Sequence, residues 1–154
     1  MKNLLLFITT IILIGATQTE AVAQETKKKE VNVWKILAMV TMTKQFNEEM
    51  GIDFDVPTFS KAVKKINGTE ITIKGYILPL KASKDQKYFI LSAYPYNMCY
   101  FCGGAGPESV MEVYSSKPVA ATKKIVKLKG TLQVNYNPSI GQVLYTLKNA
   151  QIVK

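Results

Sequence analysis

Two thiols set two residues apart are the chain's most evident chemical groups. They occur as Cys99-Tyr100-Phe101-Cys102, followed directly by Gly103-Gly104-Ala105-Gly106-Pro107-Glu108-Ser109. Three chemistries suit this spacing. The first is a disulfide. A bridge across so short a loop constrains the unfolded chain little, so it would shape the loop rather than staple the fold. The second is metal binding. Two thiolates are half of a zinc site and can suffice for a soft ion such as Cu(I). The chain has no His and no second Cys pair, so a zinc ion would call on Glu108 as third ligand, or on Glu112 or a partner chain. The third is a redox-active dithiol. That use places the first Cys at a helix N-terminus, where the dipole lowers its pKa. Here the pair runs into glycines, and no thioredoxin-like βαβ pattern surrounds it.

Other chemistry is excluded by composition. With no His there is no Ser-His-Asp or Cys-His nucleophilic site. Every basic residue is lysine, so no guanidinium fork is available for phosphate, carboxylate or guanine.

The surroundings of the Cys pair are unusual in two ways. Aromatics bunch here: Tyr88, Phe89, Tyr94, Tyr96, Tyr100 and Phe101. Most tyrosine and phenylalanine in a β protein is packing, but Tyr94, Tyr96, Tyr100 and Phe101 flank the thiols and form a candidate ligand surface. Gly103, Gly104, Gly106 and Pro107 suit a shaped loop rather than a core strand, because glycine admits positive φ and close backbone approach. The segment is predicted to be a structured loop at the rim of a barrel.

The elements that must hold this loop are strands. Ala38, Val40, Met42 and Phe46 alternate with polar residues, which is period two, although Val33, Ile36, Leu37 and Val40 allow a helical first turn. Ile52, Phe54 and Val56 form a second short strand that Pro57 is expected to stop. Phe59, Ala62, Val63 and Ile66 fit one face of a short helix, with Thr58 as N-cap and Asn67-Gly68 as its end. Further strands are predicted at Ile71–Leu80, Tyr88–Leu91, Val110–Tyr114 and Val126–Tyr136, with a return strand from Val143. Lys81–Gln86 and Asn137–Gly141 read as turns. Gly75 and Gly130 lie inside strands, where glycine lets a strand bend around a barrel corner. The expectation is a mainly β domain: a small, curved, mostly antiparallel OB-like barrel with one short helix, and a β-sandwich as the alternative.

The first segment reads as an address. Met1-Lys2, the apolar run from Leu4 to Ile14 and the small-x-small Ala21-Val22-Ala23 match a secretory signal peptide over residues 1–23. Retention as an N-terminal anchor is the alternative. A polar leader covers 24–32 and the barrel domain 33–154. The expected location is periplasmic or secreted. The net charge of +9 over 154 residues suits weak attraction to anionic head groups or cell-wall polymers. Export and the absence of arginine count against nucleic acid.

The Tyr94-Pro95 to Val110 stretch, with its Cys-x-x-Cys-Gly-Gly-Ala-Gly-Pro-Glu-Ser string, and Gly75-Tyr76-Ile77-Leu78-Pro79-Leu80 carry a likeness. From about Trp34 onward the chain resembles a family of uncharacterised small exported bacterial proteins. More distantly it looks like periplasmic OB-like domains of unknown function, whose cysteine-bearing loop differs and carries a Pro-rich stretch absent here. Some of those relatives are encoded beside transporter components linked to zinc handling, so the resemblance implies metal as a cofactor and an envelope or transporter component as a partner. The expected function is an exported, non-enzymatic binding or accessory protein whose rim loop holds a metal ion or contacts a partner. A thiol–disulfide oxidoreductase and an interaction module with a loop-shaping disulfide are the alternatives.

Overall fold

Alternating side chains and two mid-strand glycines carry through to a closed barrel. The computed structural model describes residues 31–78, 85–138 and 142–153. The signal-peptide reading over 1–23, nearly all of the polar leader, and parts of the Lys81–Gln86 and Asn137–Gly141 turns lie outside the described residues. In chain order the elements are α1 (Val33–Leu37), β1 (Val40–Asn47), β2 (Ile52–Phe59), α2 (Lys61–Ile66), β3 (Glu70–Leu78), β4 (Asp85–Ser92), β5 (Val110–Ala120), β6 (Val126–Val134) and β7 (Tyr145–Ile152). No helix among the described residues is long and apolar enough to cross a membrane.

Five strands close the barrel in the order β3-β4-β5-β7-β6, with β3 pairing back to β6. β5 and β7 run parallel, and the other ladders are antiparallel. The fold is therefore a barrel and not the alternative sandwich. Gly75 marks the corner the sequence predicted. It is the last residue of β3 paired with β6, and the next residue, Tyr76, pairs with Ser92 of β4. A Cβ at Gly75 would sit 2.6 Å from the Ser92 carbonyl oxygen, so the strand can switch partners only without a side chain there. Gly130 lies where the β6–β7 register shifts.

The inward faces supply the core. Ile71, Ile73, Leu128, Leu132, Val113 and Leu147 are among its buried residues, and each large aliphatic removed from water contributes about 1.5–3 kcal/mol. The N-terminal elements close one end of the barrel with Leu37, Phe59 and Val63. Polar bonds fix that plug: the Tyr145 hydroxyl donates to the Leu37 carbonyl at 2.6 Å, and the Trp34 indole donates to the Lys74 carbonyl at 2.7 Å.

Several boundaries differ from expectation. Both readings of the start hold, since α1 precedes β1. There are thus two short helices rather than one. Pro57 does not stop β2; it is buried within the strand, opposite Met42. The β1–β2 ribbon is a separate two-stranded sheet, and on an edge strand a missing N–H need cost no ladder bond. The N-cap of α2 is Ser60, whose hydroxyl accepts from the Val63 N–H, and not Thr58. β5 runs six residues past Tyr114, and β4 begins at Asp85 inside the expected turn.

Candidate functional site

The rim loop leaves β4 and returns to β5 at almost the same point. Ser92 and Val110 are paired, and the Ala93 N–H donates to the Ser109 carbonyl at 2.9 Å. Ser92 and Ser109 hydroxyls secure the ends, bonding the Tyr94 N–H at 3.1 Å and the Gly106 carbonyl at 2.6 Å. Between them the chain makes three single turns of 3₁₀ helix: Tyr96–Met98, Tyr100–Cys102 and Pro107–Ser109. This is more regular than an extended loop. The glycines explain how it folds so tightly. Gly103 has φ +75°, and a Cβ at Gly104 would fall 2.8 Å from the Met98 backbone. Pro107 opens the last turn, where its fixed φ suits the first helical position.

The turns separate the two cysteines. Cys99 is fully buried in a small cluster with Leu78, Ile90, Val110 and Val143. Cys102 is exposed. Both are free thiols, with sulfur atoms 3.8 Å apart. Desolvation, then the hydrogen bond and charge of Cys99, push the Cys102 thiol above its ordinary range. A reactive thiol needs the opposite shift.

Glu108 does not join the sulfurs. Its carboxylate folds back over Gly106, where a Cβ would overlap it. Glu112 is engaged elsewhere. It accepts from the Tyr88 hydroxyl at 2.9 Å and lies 3.5 Å from the Tyr114 hydroxyl, while the two rings meet at 4.9 Å with their planes tilted by 33°. Burial and the Glu112 carboxylate push the Tyr88 phenol up to about 12. Among the described residues no group of three or more Cys, Asp or Glu side chains could hold a metal ion.

Tyr94, Tyr96, Tyr100 and Phe101 are all exposed, Tyr96 by 71% and Phe101 by 58%, with Met98 exposed beside them. The Tyr100 and Phe101 rings meet edge-on at 5.4 Å. Phe89, from the same aromatic window, is instead core. Sequence reasoning missed one neighbour of the loop: the β1–β2 ribbon. Ile52, Asp53, Phe54 and Asp55 of β2 line a cleft of about 570 Å³ together with Tyr100, Phe101, Pro107, Val110, Val143 and Leu144. The alternating Ile52-Asp53-Phe54-Asp55 run was visible as a strand, but nothing local showed what it would stand beside.

The family model that describes a protein of unknown function, DUF3299, matches residues 13–154. No curated protein matches. The crystal structure of a DUF3299 family protein from Pseudomonas aeruginosa PAO1 is similar at 19% identity, over 64% of this chain and 68% of that one, with a TM-score of 0.46. By the extent of the family match, the chain belongs to the DUF3299 family of proteins of unknown function.

Proposed function

We propose that this protein is an exported, non-enzymatic accessory protein of the cell envelope that docks a partner through the rim loop of an OB-type barrel. One observation carries the reading. Tyr94, Tyr96, Met98, Tyr100 and Phe101 stand exposed within eight residues, on a backbone held by 3₁₀ turns and anchored by buried Cys99. Exposed apolar patches mark interaction sites, and a fixed loop loses little entropy on binding. The five-strand closure with one parallel pair supports the OB-type assignment. The apolar start and small-x-small pattern of residues 4–23 support export.

The test is site-specific photocrosslinking in cells. A photoreactive residue at position 96 is expected to give an adduct with an envelope protein. Unlabelled wild-type protein should compete for it, and Phe101→Ser should abolish it. The same residue at Lys124, on the surface away from the loop, should give none. Equal adducts from both positions would remove the reading.

The sulfur separation supports a second reading. Two thiolates at ~2.3 Å from one tetrahedral ion lie ~3.8 Å apart, and the thiols here are 3.8 Å apart. Cys99 and Cys102 would supply two zinc ligands and the docked partner the rest. Elemental analysis and thiol counting on the native protein test it. Less than about half an equivalent of zinc, with both thiols oxidised, would exclude it.

A further inference from the structure

Three neighbouring strands turn polar side chains to one outer face of the barrel. Met111, Val113, Leu132, Val134, Tyr145 and Leu147 are core. Glu112 of β5, Gln133 of β6 and Thr146 of β7 alternate with them and so point outward. They form one row. Glu112 and Gln133 are each paired with Thr146 from the strands on either side, and directly paired residues share a face. The row lies in a groove of about 460 Å³, whose lining also includes Tyr114, Asn135 and Lys148 and no aliphatic side chain. Thr146 is the buried member of the row, at 5% exposure. Its hydroxyl has no hydrogen-bond partner among the described residues, although a buried polar group ordinarily has one. The oxygen is not sealed from solvent, so it is available to a ligand in the groove.

The groove has one aromatic wall. Tyr114, 45% exposed, meets the Tyr88 ring at 4.9 Å, and the two hydroxyls reach Glu112 at 3.5 and 2.9 Å, which fixes the ring. A bulge in β7 shapes the other end. Both of its ladders shift register there, and Asn149 takes a φ of +53°. Bulges re-aim side chains beside sites. The charges of Glu112 and Lys148 cancel, so the lining favours no ion of either sign. Amide, carboxylate, ammonium and hydroxyl groups supply donors and acceptors together, which suits a ligand carrying many hydroxyls. The negative face of a tyrosine ring suits the C–H face of a sugar. A volume of about 460 Å³ takes a small molecule. We propose that this groove binds a neutral pyranose saccharide, with one sugar hydroxyl bonded to Thr146 and a ring face packed on Tyr114. This goes beyond partner docking by the rim loop and uses none of its residues.

The probes are cellobiose, with plain hydroxyls, and N,N′-diacetylchitobiose, with acetamido groups. Acetyl-triglycine-amide serves as a neutral peptide of like polarity. Each is titrated into the isotope-labelled full-length chain and followed by amide chemical shifts. At least one sugar should move residues 112–114, 133–135 and 146–149 together, and the tighter of the two identifies the sugar class. Thr146→Val keeps the branched shape and breaks no side-chain hydrogen bond among the described residues. Its melting temperature should stay within about 3 °C of wild type, while sugar affinity falls about fivefold or more. Tyr114→Leu should weaken the same sugar. Absence of sugar shifts at these residues at tens of millimolar, peptide binding there as tight as the sugar's, or undiminished sugar affinity in Thr146→Val would overturn the proposal. Because the readout is a small molecule on the flank of the barrel, such a failure is distinct from failure of the partner crosslink.

Discussion

Replacing each cysteine by serine gives an asymmetric prediction. The two residues differ by one atom type and stand two residues apart, yet their surroundings are opposite. Cys99 lies at 0% exposure among Leu78, Ile90, Val110 and Val143. Cys99→Ser therefore puts a hydroxyl where four aliphatic side chains stand, and such a burial costs about 1–3 kcal/mol. Cys102 is exposed, so Cys102→Ser should fall within about 0.5 kcal/mol of wild type. For a domain of this size, the Cys99 variant should melt roughly 5–15 °C lower, and the Cys102 variant within about 3 °C of wild type. The assay is thermal or urea unfolding with reductant present, so that no bridge contributes. Cys99→Ala is the control: it keeps the pocket apolar and should lose less than Cys99→Ser. The double serine variant should match Cys99→Ser alone. Equal destabilisation by the two single variants would refute the reasoning, because it would mean that the thiols act as a pair rather than as one core residue and one surface residue.

Gly75→Ala should cost about 1–3 kcal/mol in urea unfolding, because its Cβ meets the Ser92 carbonyl at 2.6 Å and the strand switch must deform. Tyr145→Phe leaves the Leu37 carbonyl without its 2.6 Å donor inside the plug and should cost about 1–3 kcal/mol. In an alkaline absorbance titration Tyr88 should ionise near 12 rather than 10.0, and Tyr88→Phe should remove that late phenol. The unfolded phenol releases its proton at the lower value, so the Tyr88 contribution to stability is complete below pH 10 and is lost as pH rises through 12. Unfolding midpoints that fall no faster in wild type than in Tyr88→Phe over that window would refute it.

The barrel was legible because its signals are local. Period-two alternation over Val126–Val134 and glycine at 75 and 130 arise from one strand at a time. The Pro57 error came from the opposite situation. Proline reads as a stop when a strand is assumed to be flanked on both sides, and β2 has a neighbour only in β1. The Lys117-Pro118 end of β5 was missed for a similar reason: its residues 116–118 face water and show no alternation. At the site, the glycines announced a shaped loop and the aromatics an exposed one. Which cysteine turns inward was not legible. That depends on Leu78, Ile90 and Val143, which reach Cys99 from three other segments. The turning of Glu108 away from the thiols and the wall formed by β2 are tertiary in the same sense.

The parallel β5–β7 ladder also governs how the barrel assembles. β7 lies between β5 and β6 and bonds to both, and a second long-range ladder joins β3 to β6. Closure therefore rests on pairings between segments far apart in the chain, whose loop entropy is lost before their contacts form. The β1–β2 ribbon joins neighbours across a short turn at residues 48–51 and can form first. Removal of β7 would free one edge of β5 and one of β6 together, and unpaired edges of that kind template association between chains. A nascent chain would thus carry two sticky edges until β7 arrives.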